Sequence, residues 1–133
     1  MVKLDDIFKG AFAAAMTIAT YLFGHFDGMI IALIAVISLD YVTGFLAAAY
    51  KGQLSSAAGA KGIIKKIMYM AMVALANIID GIVGMDSLLR DASIYFFIAN
   101  EGLSILENAA GMGFPFPQFL KDRLEQFKGT DRE

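Results

Sequence analysis

The sequence predicts an all-α integral membrane protein, and three observations predict it: composition, the length of the apolar runs, and the side on which basic residues collect. Of 133 residues, 58% are hydrophobic and 18% charged, with a mean hydropathy of +0.62. A water-soluble domain of this size could not hide so many apolar side chains without large exposed patches. A helix needs about 20 residues to cross a hydrocarbon layer of about 30 Å. Segments 29–50, 63–84 and 92–113 reach that length, and segment 8–24 is shorter. With both termini in the cytoplasm, ten Lys and Arg residues fall on the inner side and Arg90 alone on the outer, as cytoplasmic loops require. Residues 1–133 thus form one membrane domain of four spans with a tail, 114–133. A three-span alternative omits 8–24 and puts the N-terminus outside.

The first span follows an opening that mixes Lys3, Asp5, Asp6 and Lys9. Two acids there, and Tyr21, Leu22 and Phe23 where a small-residue cleavage site would stand, separate it from a secretory leader. Residues 24–28 have turn chemistry. His25 belongs to that turn rather than to a metal site, which needs several convergent ligands. The second span is apolar apart from Ser38, Asp40 and Thr43. Residues 51–62, KGQLSSAAGAKG, read as a basic, small-residue loop before the third span, and residues 86–91 as a polar break before the fourth. Pro115 and Pro117 end the helical pattern. Beyond them Phe119, Leu120, Leu124 and Phe127 share one side of a short amphipathic helix suited to the membrane interface.

The chain has no cysteine, which excludes disulfides and thiolate metal sites. Its net charge of −2 gives no footprint for nucleic acid. No catalytic, cofactor-binding or metal-ligating set stands out, so no enzymatic activity and no cofactor is expected. The informative residues are polar groups inside the spans. One ionised side chain at a helix centre costs about 2.5–3.5 kcal/mol on insertion scales, and so calls for a partner, a wet cavity or a function. Asp40 is central in span two, and Thr43, Gly44, Ala47 and Ala48 follow on its face, permitting close helix approach. In span three Lys66, Tyr69, Val73, Asn77, Asp80 and Gly84 form one stripe. Lys61, Lys65 and Lys66 are expected at the cytoplasmic interface, the latter two snorkelling, and Asp80 near the outer one. In span four Asn100, Glu101, Ser104, Glu107, Asn108 and Gly111 lie within about 120° of one another, while Leu103, Ile105 and Leu106 point elsewhere. Such a stripe must face helices of the same chain, other copies, or water.

Several strings carry a resemblance: Asp40-Tyr41-Val42-Thr43-Gly44, Leu54-Ser55-Ser56, Gly59-Ala60-Lys61-Gly62-Ile63 with Lys65-Lys66, and Ile98-Ala99-Asn100-Glu101-Gly102-Leu103-Ser104-Ile105-Leu106-Glu107-Asn108. In this order, and with Gly113-Phe114-Pro115-Phe116-Pro117 and Leu124-Glu125-Gln126, the chain resembles the phage-lysis and toxin-secretion holin family. The resemblance implies a phage or prophage protein of the bacterial cytoplasmic membrane. It would accumulate harmlessly, then assemble as a homo-oligomer into lesions that release a peptidoglycan hydrolase (endolysin) or a toxin. Asp40, Asn77, Asp80, Asn100, Glu101, Ser104, Glu107 and Asn108 are then assembly or pore-lining groups. Two other classes fit the composition: a small ion or proton channel or transporter subunit with Asp40 and Glu101 as relay groups, and a membrane scaffold whose polar contacts are only structural.

Overall fold

The computed structural model describes residues 1–128. Of the basic residues behind the orientation, Arg132 lies outside the described residues, as do the side chains of Lys128 and of Phe127 on the tail helix. Five helices and no strand occur among the described residues: α1 (Leu4–Phe23), α2 (Gly28–Tyr50), α3 (Ser56–Val83), α4 (Leu88–Gly111) and α5 (Gln118–Lys128). The all-helical fold class stands. Helices α1, α2 and α3 are long and apolar enough to cross a membrane; α4 is as long but more polar.

Local chemistry sets the helix ends. Asp27 caps α2, its carboxylate accepting from the Ile30 N–H at 3.1 Å. Ser55 caps α3 in the same way, accepting from Ala58 N–H at 3.2 Å. That cap starts α3 at Ser56, not at Ile63, so the loop expected over 51–62 contracts to residues 51–55. Small residues there favour a helix as much as a loop, and Ser55 decides between them. Helix α4 begins at Leu88 rather than at residue 92, because a remote side chain caps it, as described below. Helix α1 begins at Leu4 with Asp5 and Asp6 in its first turn, where the helix dipole favours acids.

The helices run up and down with short connections. Helix α4 packs against α2, α3 and α5, whereas α2 and α3 barely touch each other. The expected close face of α2 is real: Ala47 is buried, and Gly44 approaches the Asn108 amide. Helix α1 packs chiefly on α3 and buries none of its side chains. Ile30, Leu33, Val73 and Ile94 are fully buried and form the core, with Phe23, Met29, Ile37, Met70, Phe97 and Ile98 around them. This dry cluster occupies the half of the bundle near the 24–27 and 84–87 turns. Outward, Ile31, Ile34, Val42, Phe45, Ile64, Ile67, Leu75 and Ile82 are exposed. Side chains this apolar on the outside of a bundle call for a nonaqueous surround.

Candidate functional site: an ion cluster between the helices

The other half of the bundle, at the end that carries Lys51, Lys61, Lys65 and Lys121, is polar inside. Because α2 and α3 flank α4 and touch each other only sparsely, a cavity of about 520 Å³ opens between them. Asp40, Lys66, Asn100, Glu101, Ser104, Glu107 and Asn108 line it, with Phe45, Leu54 and Leu103 as apolar wall. The Lys66 ammonium donates to Asp40 Oδ2 at 2.7 Å and to Glu101 Oε2 at 2.5 Å. All three side chains are nearly removed from solvent, at 14%, 11% and 3% exposure. Asp40 lies ten residues from the end of α2, Lys66 ten from the start of α3, and Glu101 ten from the end of α4. At 1.5 Å per residue the cluster sits about 15 Å inside the basic end, near mid-bundle.

Lys66 therefore does not snorkel at an interface. The expectation failed because it placed the start of α3 at Ile63, which left Lys66 in the first turn. From Ser56 the same residue is three turns in, level with the two acids. Lys61 and Lys65 remain exposed, and Lys65 also reaches over the Tyr69 ring at 5.9 Å.

The polar stripe of α4 faces the helices of its own chain. Asn108 donates to the Asp40 carbonyl and carboxylate at 3.3 and 3.1 Å and to Thr43 Oγ1 at 2.9 Å. Asn100 donates to the Tyr69 hydroxyl at 2.9 Å, and the Tyr69 ring stacks on Phe97 at 4.5 Å. Ser104 lines the cavity beside the cluster, and Glu107 is exposed at its mouth. Leu103, expected to point away, is buried against the cavity. Among the described residues no buried side-chain nitrogen or oxygen lacks a partner.

Asn77 and Asp80 serve elsewhere, at the opposite end. Asn77 donates to the Tyr21 and Leu22 carbonyls, both at 3.0 Å, and so ties the last turn of α1 to α3. Asp80 is 4% exposed. Its carboxylate accepts from the Leu89 and Arg90 N–H groups at 3.0 and 2.8 Å, capping α4 from another helix. Ser87 cannot cap its own helix, since Asp86 and Ser87 are both held at positive φ, 45° and 66°.

Sequence reasoning missed Arg90, counting it only as the lone outer basic residue. Its side chain is 2% exposed. It donates to the Phe23 carbonyl at 2.6 Å, the His25 carbonyl at 2.9 Å, Asp27 at 3.0 Å and Asp91 at 2.9 Å. Arg90 thus joins α1, the 24–27 turn and α4 in one clasp, which also explains Gly24. A Cβ there would meet Arg90 Nε and Asn77 Oδ1 at 3.0 Å, and its φ of 78° favours glycine. The Arg90 hydrogen bond, helped by the Ile30 N–H, holds the Asp27 carboxyl below the usual carboxylate range. The signal available beforehand was the pairing of one outer arginine with an acid in each outer connection.

The ordered set Asp40, Lys66, Asn100, Glu101 and Asn108 is built from the strings that carried the resemblance, and the bacteriophage holin family matches residues 17–129. The chain belongs to the bacteriophage holin family. A probable holin of Bacillus phage phi105 is 38% identical over 104 residues, covering 78% of this chain and 76% of that protein. An uncharacterized protein of Listeria monocytogenes is 42% identical, covering 98% and 95%. One of Clostridium perfringens is 36% identical, covering 98% and 93%. No solved structure matches. The family match spans every residue of the buried ion cluster and of the cavity wall beside it.

Proposed function

We propose that this chain is a holin of the bacterial cytoplasmic membrane, encoded by a phage or prophage, and that the described arrangement is its quiet, unassembled state. The observation that carries the reading is the satisfaction of the polar groups within one copy. Lys66 offsets the charge of Asp40 and Glu101 in part, and all three with Asn108 are joined by hydrogen bonds, so α4 can cross the bilayer despite its buried acid. Four spans result, with both termini cytoplasmic and the basic end inward. The dry core of Ile30, Leu33, Val73 and Ile94 lies between this cavity and a second one lined by Tyr21, Asn77 and Asp80 at the other end, so a single copy is not expected to conduct.

Assembly exchanges these contacts. When copies associate, the stripe of α4 turns from its intramolecular partners to a shared aqueous lumen, and the homo-oligomer becomes the lesion through which a peptidoglycan hydrolase or a toxin leaves. Nothing in this sequence of events breaks a covalent bond in a substrate. The test is induced expression in bacteria with a co-expressed leaderless hydrolase. Abrupt lysis that needs both proteins supports the reading. A steady ion leak without release of the hydrolase overturns it in favour of a channel.

A further inference from the structure

The cavity in the polar half extends well beyond the ion cluster. Its volume of about 520 Å³ is in the range that holds a small organic molecule. At its inner end the buried carboxylates of Asp40 and Glu101 line it beside the Lys66 ammonium. Its sides are apolar, with Leu103 buried on α4 and Phe45 and Leu54 across from it. At its mouth it is charged again. Glu107 is exposed there on α4. Helix α5, which the sequence suits to the membrane interface, instead packs along α4 with Leu124 against Gly102, and brings Glu125 to the cavity.

The charges of this lining do not balance. Four carboxylates, those of Asp40, Glu101, Glu107 and Glu125, stand against the two ammonium groups of Lys65 and Lys66. Lys65 also reaches over the Tyr69 ring. An excess of two negative charges between low-dielectric walls draws cations inward. Lys66 contacts one oxygen of each inner acid, and a carboxylate accepts from more than one donor. The spacing of the acids then selects the kind of cation. Glu107 lies six residues beyond Glu101 on α4, about 9 Å along the helix axis, which is close to the nitrogen separation of an extended six-carbon diamine. A metal ion fits less well. Among the described residues no three His, Asp or Glu side chains converge as a metal site, and the stretch between the two acids is apolar.

We infer that this cavity binds an aliphatic diammonium ion, a diamine or polyamine in its protonated form. One ammonium group sits at Asp40 and Glu101, the methylene chain runs along Leu103, Phe45 and Leu54, and the second ammonium group meets Glu107. The holin reading contributes only the side of entry, the cytoplasm. A ligand that fits the described arrangement stabilises it by mass action. The test uses the purified full chain in a nonionic detergent at constant ionic strength, titrated with hexamethylenediamine, hexylamine and hexanol. Binding is read by calorimetry and by the midpoint of loss of helical signal on heating. The diamine is expected to bind saturably and raise the midpoint, hexylamine to bind about fivefold more weakly for want of one partly exposed ion pair, and hexanol not to bind. Glu107→Gln, at an exposed position, is expected to bring the diamine down to the affinity of hexylamine and leave hexylamine unchanged. Asp122→Asn, an exposed acid of α5 outside the cavity, is expected to change neither. The site is overturned if the diamine does not bind saturably, if hexylamine or hexanol binds as tightly, if the preference for the diamine survives Glu107→Gln, or if Asp122→Asn weakens it equally. Because lysis is not read, failure here leaves the holin reading standing, and failure of that reading leaves the site.

Discussion

Lys66 serves two carboxylates at once, so the three members of the cluster are not equivalent. Replacing it with methionine leaves Asp40 and Glu101 facing each other without a counter-ion, and removing one partner of a buried ion pair costs about 3–5 kcal/mol. Glu101→Gln instead leaves one ammonium with one carboxylate, and glutamine still accepts from Lys66, so its cost is that of a weakened hydrogen bond, about 1 kcal/mol. Lys66→Met is therefore expected to destabilise the purified monomer well beyond Glu101→Gln, measured as the loss of helical signal on heating in detergent. Equal losses would mean that the ion cluster does not hold the bundle together. In cells the same order is expected in the advance of lysis.

Helix α1 has no fully buried side chain, and besides its packing on α3 and the Phe23 contact with the core it is attached by the clasp at its end. Arg90 and Asn77 hold the carbonyls of Tyr21, Leu22 and Phe23, and Asp27 holds Arg90. Since the folded Asp27 carboxyl is held below its ordinary value of about 3.9, its stabilisation is complete above that pH and lost as pH falls through the folded value. The protection of α1 amides, taken relative to their intrinsic exchange rate at each pH, is thus expected to fall in acid below about pH 4, with Asp27→Asn showing the lowered protection already at neutral pH. Wild-type protection flat with pH would remove Asp27 from the clasp. Such contacts explain which parts of the fold were legible. Helices α2, α3 and α4 were readable because their apolar runs have the length of a span, and the stripe of α4 because five polar residues recur at helical spacing. The partner of that stripe was not, because one misjudged cap, Ser55, displaced Lys66 from the middle of α3 to its edge. Asp80 as a cap and Arg90 as a clasp are contacts between residues far apart in sequence or hidden in turns, where no periodicity marks them.

At the scale of the molecule, a dry half under the outer turns and a polar half open at the basic end fit a bundle that crosses the membrane four times. Helix α4 fails as an isolated apolar span, yet its two buried charges are paired: Glu101 with Lys66, and Arg90 with Asp27 and Asp91. A helix whose ionised groups arrive at mid-membrane already paired avoids most of the cost of about 2.5–3.5 kcal/mol for each. The first span is held by the same logic, since the clasp puts the end of α1 at the outer turns beside the start of α2. Single cysteines in this cysteine-free chain test the consequence in intact cells. A membrane-impermeant maleimide is expected to label Cys at His25 and at Asp86, and to miss Cys at Val2, Gln53 and Lys121 until the membrane is broken. The three-span topology predicts labelling at Val2 from outside. That outcome would detach α1 from the bundle in the inserted protein and make the Arg90 clasp a contact formed only outside the bilayer.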